Sequence, residues 1–588
     1  MGVIHPSVAY PAVASGLDDE HEFDSYINSR SRIVRHTYAA HLRPYSNIAG
    51  MDVDIYLADK PFVTSTADTP ASQYFEPRLE QPLAHERRIN GSRFGGRSEF
   101  HSGTMLIAFE DRVFVHDGVE YTLRSFLDNF KIDGKRITVK AIPDGGTWEN
   151  GIVMYNNSAQ DWAAADAGMI EVTLRGSAYR LEVPVQPSTF LGTGGLEGDV
   201  GVTGQRPPVC FGQVFNIPLF LLLAGELLYQ VHSDIDGDGA PIHAVDAVKI
   251  DGVGVTFHAD YATVALLRAA SIPSGHYGTC LAEGYIRLGS SPTGAVTADV
   301  RGGKFDGAFV SLPGSILLAL VKLYGAEFAD DEIDVGSFAN LDTARPYGVE
   351  RYIAPDDAIT VADVFSEIMD SLEGSWGDTP QGLLQVGVSR LASDDASSAA
   401  VFDDADVEIG SFAWLPYPAD VQPAVKKETI GYKKNYAATT QLAASVPDAD
   451  RALLVTDWST VVGEQSLPQH AEARELRKNT NLVSAVDAAA QLASDLELYD
   501  GSPVFAGFKT TPNKVANLTL NHQITLSYTI EDVAEDKARI YGIRIDAKRE
   551  EAEITVLISA TDYMVLATED EAWFIVSGGR LFKLNPGV

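Results

Sequence analysis

Cysteine is nearly absent from this chain: Cys210 and Cys280 are the only two among 588 residues. Two widely spaced thiols make neither a disulfide framework nor a CxxC metal site, and an iron–sulfur cluster needs about four ligands. Buried free thiols are the expectation. Cationic charge is also scarce. Forty-five Lys and Arg against 81 Asp and Glu leave a net charge of -36, which repels phosphate and excludes sequence-specific nucleic-acid binding. Such a surface serves either as a salt-adapted solubility coat or as an acidic wall along which nucleic acid slides without sticking. Long hydrophobic runs are missing too. The most apolar stretch, "FNIPLFLLLAGELLYQV" from Phe215 to Val231, is broken by Pro218 and Glu226 and is too short to span a bilayer. The opening "MGVIHPSVAYPAVASG" lacks the basic start and apolar centre of a signal peptide, so the sequence predicts a protein made and kept in the cytoplasm.

Catalytic signatures are lacking as well. There is no HExxH, GxSxG or SxxK arrangement and no catalytic-cysteine context. The sequence therefore predicts no enzyme and no cofactor. The glycine-rich "LGTGGLEGDVGVTG" (Leu191 to Gly204) resembles a phosphate cradle only in part. Gly192 and Gly194 fit, but Glu197 stands at the third glycine position and no GK[ST] follows. It reads better as a flexible inter-domain connector. His36 and His41 are five apart, off a shared helical face, and read as surface or packing residues. Glycoside hydrolysis needs two carboxylates at a set separation. With this many acidic residues a carbohydrate-binding or hydrolysing β-protein stays the alternative function.

What is present begins with "YQVHSDIDGDGAPIHAVDAV". Asp234, Asp236 and Asp238, followed by Gly239, match the first half of a calcium loop and are the candidate metal ligands. Counting Asp234 as position 1, the bidentate glutamate position falls on Val245, which cannot ligate. The flanks are strand-like rather than helical. An acidic, solvated turn joining two strands as a hairpin is the competing interpretation, and the sequence predicts that no metal is required.

The pattern along the chain predicts a mainly β protein with a few helices, in β-sandwich and barrel-like modules of α+β character. Residues 1–103, rich in Pro, Ser, Thr and Gly, are expected to be an extended arm and loops. "GTMLIAFE", "RITVKAI", "GIVMYN", "IEVTLRG" and "YRLEVPV" read as strands of a sandwich over 104–190. A β-rich module is expected over 191–395. It contains a helix near 360–373, in which Val361, Val364, Phe365, Ile368, Met369 and Leu372 share one face, Thr360 and Asp363 form a capping box, and Gly374 closes the end. The Asp/Ser-rich "RLASDDASSAAVFDDADVE" reads as a solvated linker. A barrel-like module follows over 396–588. Its helix near 481–498 is expected to turn Leu482, Val486, Ala489, Leu492 and Leu496 inward. In the closing hairpins Tyr541, Ile543 and Ile545 face Ile554, Val556 and Ile558, and another turn lies at Gly578 and Gly579.

The order of these pieces resembles a family of phage tail-tip proteins, the baseplate hub proteins of siphophages and gene transfer agents. The resemblance is carried by "TFLGTGGLEGDVGVTGQRPPVCFGQVFNI", by "LYQVHSDI…APIHAVDAVKIDGVGVTF" and above all by "SGHYGTCLAEGYIRLGSSPTGAVTADVRG" from Ser274 to Gly302. "IGYKKNYAATTQLAASV" and the segment from Asn521 to Ile558 extend it downstream. Upstream, the stretch "GTMLIAFEDRV…LRSFLDNFKIDGKRITVKA" from Gly103 to Ala141 resembles the family's distal-tail-like sandwich. The resemblance covers roughly Thr64 to Ala560. It departs from the family at "SDIDGDGA", which lengthens a short turn. It implies a structural protein without catalytic residues, placed in the virion at the tail tip and assembled in the host cytoplasm. The implied partners are a tail tube or distal tail protein, a tape measure protein, and tail fibre or receptor-binding proteins, with DNA passing through the lumen without specific binding. It also implies a homo-oligomer; two β-rich modules after Gly204, alternating around an axis, would let a homotrimer meet a six-fold tube.

Overall fold

Tyr38, Ala40 and Leu42 share one buried face of the strand His36–Leu42, and Ala39 is buried on the other, so the strand must be covered on both sides. It pairs antiparallel with Arg136–Pro143 and with Ile55–Ala58, burying Ile55, Leu57, Ile137 and Val139 on the same side. In the computed structural model the described residues are 36–90, 96–109, 113–324, 328–393, 396–417, 424–468, 470–501, 503–531 and 533–559, with the short strands Met564–Ala567, Trp573–Ser577 and Arg580–Leu584 beyond them. Residues 36–90 thus carry strands where the sequence pattern suggested loops. The reason is that all but Leu79–Asn90 are only two to seven residues long, and strands this short leave little periodicity to read. Residues 1–35 of the expected arm, and the Gly578–Gly579 turn, lie outside the described residues, although Trp573–Ser577 and Arg580–Leu584 do pair.

The chain is mainly β. Arg136–Pro143, Ile152–Ala165, Met169–Arg175, Gly96–Ala108 and Leu79–Asn90 are hydrogen-bonded in that order. Leu79–Asn90 then pairs with Val533–Asp546, a strand from the far end of the chain, which continues through Glu551–Ile558 to Val504–Thr510. One core of buried residues runs under both sets, from Tyr38 and Met105 to Ile540 and Val556. As expected, Ile543 faces Ile554 across the hairpin, and Tyr541, Ile545 and Ile558 are also buried. "YRLEVPV" is not a strand. Ser177–Leu181 is a short 3-10 turn, and the Val185 N–H bonds Ile359 O instead of a ladder, which Pro184 could not continue.

Between these halves the chain builds two smaller sheets. One contains Val209–Pro218, Val296–Phe305 and Ile242–Ile250. The other is ordered Phe220–Leu223, Leu228–Gln230, Tyr285–Leu288, His276–Cys280, Thr256–Asp260, and its last pair is parallel. The apolar stretch from Phe215 to Val231 is spent on strands of both. Cys210 and Cys280 are buried free thiols, as expected. No helix among the described residues is long and apolar enough to cross a membrane.

Three helices, Pro313–Leu323, Val335–Ala344 and Val361–Ser371, share the next core. Val361–Ser371 has the expected capping box, with Thr360 Oγ1 accepting from Asp363 N at 3.1 Å, and the expected buried face. It does not end at Gly374. Glu373 takes the left-handed conformation, φ 51°, and Gly374 already begins the strand Gly374–Asp378, where a Cβ would sit 2.5 Å from Met369 Cε. The residue that reverses the chain here is one whose side chain is needed. The Glu373 carboxylate is buried, accepts from Tyr499 Oη at 3.0 Å and pairs with Lys478 Nζ at 2.9 Å.

Lys478, at the end of the strand Arg474–Asn479, also lies 2.6 Å from Asp495 in the helix Ala485–Leu498. That helix turns Ala488, Gln491, Leu492, Asp495 and Leu498 inward, whereas Val486 is 77% exposed and Ala489 is exposed too. The apolar spacing misplaced the face because two buried positions are polar. Gln491 Nε2 donates to Asp495 Oδ1 at 2.7 Å, so Asp495 enters the core already partnered. Replacing Lys478 by Met should therefore strand two buried carboxylates and lower stability by about 3–5 kcal/mol, read as a fall in the urea midpoint of the transition reported by far-UV circular dichroism.

Glu350, wholly buried, gives a second expectation. Burial raises its carboxyl well above the usual 4.5, although Oε1 accepts Lys434 N at 2.6 Å. A carboxyl raised by folding contributes most below its unfolded value, and that contribution is lost as pH rises above about 4.5. Glu350→Gln should thus stabilise the protein at pH 8 by about 1–3 kcal/mol, with the gain shrinking as pH falls toward 4.5 and levelling off below it in parallel thermal melts.

Candidate functional site

Asp234, Asp236 and Asp238 do not converge. Asp234 Oδ1 accepts the backbone N–H groups of Gly237 at 3.0 Å and Asp238 at 3.2 Å, closing the turn on itself. Asp236 and Asp238 are exposed. Among the described residues no group of three or more His, Cys, Asp or Glu is placed to hold a metal ion. The turn is also not a hairpin. Leu228–Gln230 and Ile242–Ile250 belong to different sheets, so the aspartate segment crosses from one to the other. Val245, at the position where a calcium loop needs its glutamate, is a strand residue opposite Val300.

The glycine-rich stretch is a built loop rather than a loose connector. Gly192 N bonds Glu197 O at 2.9 Å, Gly194 N bonds Gly198 O at 2.8 Å, and Asp199 N bonds Leu222 O at 3.0 Å, which fastens the loop to the strand Phe220–Leu223. Leu191 N donates to Glu197 Oε2 at 3.0 Å, so the residue that spoils the phosphate-cradle pattern serves the loop. Its glycines meet a conformational demand: Gly192 and Gly198 have φ of 69° and 75°. The Asp/Ser-rich stretch is likewise fastened. Ala400–Phe402 runs parallel to Gln523–Tyr528, Ser393 N donates to Gln523 Oε1, and Asp406 pairs with Lys514 at 2.9 Å. Polar composition alone did not reveal these partners, because each lies more than a hundred positions away.

The Ser274–Gly302 block folds as His276–Cys280, Tyr285–Leu288 and most of Val296–Phe305. Its glycines mark close crossings. At Gly302 a Cβ would collide with the carbonyl of Cys210 on the neighbouring strand. The adjoining His232, from "YQVH", is buried, and its Nδ1 accepts Cys210 N–H at 3.1 Å; burial holds its pKa down to about 3. These residues hold strands together and present no reactive group.

The block's sheet does present an open edge. Thr256–Asp260 is its last strand, mostly exposed, and Phe257 is 51% exposed there. Val253 and Leu266 are exposed on either side of it in sequence. Among the described residues this edge has no partner strand, and a partly apolar edge of this kind is suited to adding a strand from another chain. The alternation of "GVTFHAD" offered a signal for the strand but none for its edge position.

No described protein family matches the sequence, and no curated protein is similar to it. Among solved structures, one from the virion of a native gene transfer agent particle is similar over 60% of this chain and 84% of its own, at 12% identity and a TM-score of 0.37. The 43 kDa tail protein of prophage MuSo2 from Shewanella oneidensis is similar over 88% of this chain and 98% of its own, at 9% identity and a TM-score of 0.33. A tail protein from Neisseria meningitidis MC58 is similar over 89% of this chain and 96% of its own, at 8% identity and a TM-score of 0.34. Likenesses this distant assign no function.

The turn geometry predicts that EDTA, with or without added calcium, leaves the melting temperature unchanged. Asp234→Ala should lower stability by about 1 kcal/mol through the two lost N–H acceptors, while Asp236→Ala should be neutral within about 0.5 kcal/mol; calorimetry of the three proteins separates these cases.

Proposed function

We propose that this chain is a structural component of a phage-type tail tip, a baseplate hub that connects the tail tube to receptor-binding or fibre proteins and lines the DNA exit channel. The observation that carries the reading is the Ser274–Gly302 block, whose sequence resembles that family at the positions that here fix strand crossings. Two further features fit. The net charge of -36 suits a wall past which DNA must slide, and the open edge at Thr256–Asp260 suits assembly with neighbouring chains. On this reading the chain is not an enzyme, is placed in the virion, and assembles in the host cytoplasm with tail tube, distal tail, tape measure and fibre proteins. The modular division at Gln186–Gly204 and Ser393–Asp406 belongs to the same proposal.

Native mass spectrometry of the purified full-length chain should give a homotrimer, and negative-stain images should show rings; a hexamer would refute the three-fold count. Deleting Met1–Arg35 should weaken assembly more than it lowers the melting temperature. A longer deletion to Gly50 is unsuited to the purpose, because His36–Leu42 is a buried strand of the large sheet. Immunogold labelling at any site other than the tail tip of an intact particle would overturn the placement.

A further inference from the structure

A cavity of about 310 Å³ lies between the helix Val335–Ala344, the hairpin Gly374–Val388 and the turn at 519–522. Arg390 and Arg539 both line it, in a protein whose charge is otherwise strongly negative. Arg539 is only 8% exposed. Among the described residues its guanidinium makes one hydrogen bond, from a terminal nitrogen to Asn521 O at 3.0 Å, and its buried Nε has no partner. Burial and the like charge of Arg390 push its guanidinium down to about 10. Arg390 is exposed at the cavity. Among the described residues no carboxylate hydrogen-bonds or ion-pairs with either guanidinium. The nearby Arg345 differs, since Asp495 and Glu373 supply opposing charge to it.

The other groups around the cavity leave this imbalance in place. Asp334 is the lining carboxylate, and its Oδ1 accepts Ser337 N at 3.2 Å as the cap of the helix. Ser337 Oγ accepts from Val386 N, and Ser375 Oγ from Asn521 Nδ2 at 2.6 Å. His522 Nδ1 accepts Thr519 N–H at 3.3 Å, so the neutral ring carries its proton on Nε2 as a donor. Burial, Arg87 and Arg539 hold that ring below its ordinary pKa, and Asp334 opposes them. Two guanidinium groups with spare donors, one of them desolvated, face a polar space large enough for several water molecules.

We propose that this cavity is an oxyanion site, in which Arg390 and Arg539 hold a phosphate or carboxylate group and His522 Nε2–H donates to it. A desolvated cation without a counter-ion is unfavourable, and an oxyanion removes that penalty while offering the acceptors both planar forks require. Two sources share this chemistry: a free phosphate ion, and the carboxylate of a protein segment. The inference stands apart from the tail-tip reading and survives its failure.

The test is calorimetric titration of the full-length chain with inorganic phosphate and, separately, with glutarate, each against sodium chloride at equal ionic strength. Saturable binding of at least one anion, weakened about tenfold or more by Arg390→Gln, is the expected result. Phosphate binding alone identifies the ion, and glutarate binding identifies a carboxylate donor. Arg390 is exposed, so the variant keeps the fold, and an unchanged melting temperature without anion verifies this. Arg539→Gln should abolish the saturable heat if it folds, and should itself melt no lower than the parent in chloride, because it removes an unanswered buried charge. Binding of neither anion above chloride, or equal binding by Arg390→Gln, overturns the proposal.

Discussion

Lys478 is the joint on which the described arrangement turns. Its ammonium group reaches Glu373, where the helix Val361–Ser371 gives way to a strand of the large sheet, and Asp495, in the helix covering the three-stranded sheet Val425–Lys434, Trp458–Glu464 and Arg474–Asn479. One cation therefore fixes three elements that share no continuous hydrogen-bond ladder at that point. Arg345 adds a second positive charge nearby, Gln491 donates to Asp495, and Tyr499 donates to Glu373. A buried ion pair of this kind gives little net stability over an apolar replacement. Its effect is directional, because a misplaced helix or strand would leave carboxylates in the core without partners, a far larger penalty than lost apolar contact.

The same logic separates what the sequence revealed from what it hid. The Val361–Ser371 helix was legible because its buried face is apolar apart from Ser371 at its end and its cap is local. The closing hairpin was legible for a similar reason: Ile543, Ile545, Ile554 and Val556 alternate without interruption. The Ala485–Leu498 helix was legible as a helix but not in orientation, since Gln491 and Asp495 occupy the inward face. Composition misled where polar or glycine-rich segments are fastened in place. "LGTGGLEGDVGVTG" looks loose but is bonded within itself and to the next strand, Phe220–Leu223, and "SDDASSAAVFDDADVE" is bonded to a strand far along the chain.

At the functional level the sequence showed more of the scaffold than of any site. The aspartates of 234–238 drew attention by their spacing, but their geometry is that of a self-capping turn. Arg390 and Arg539 drew none, for they lie far apart in a chain with 45 basic residues and share no motif. Only folding brings them to one cavity. The residues that carry the family resemblance, Gly302 and His232 among them, turn out to be places where backbones cross too closely for a larger or misaligned side chain.

The pairing of Leu79–Asn90 with Val533–Asp546 has a consequence for biogenesis. The first strand leaves the ribosome while its partner is still roughly 440 residues from being made, an interval of roughly 20–90 s at ordinary elongation rates. Until then the large sheet has an unfilled position, and its shared core lacks the half contributed by the C-terminal strands. Completion must wait until Val533–Asp546 has been made, and closure of so long a loop is slow. A truncated translation product would present that vacancy permanently, inviting strand exchange with other copies. Synthesis thus carries a built-in check in which only a chain extended past Asp546 can seal its own sheet.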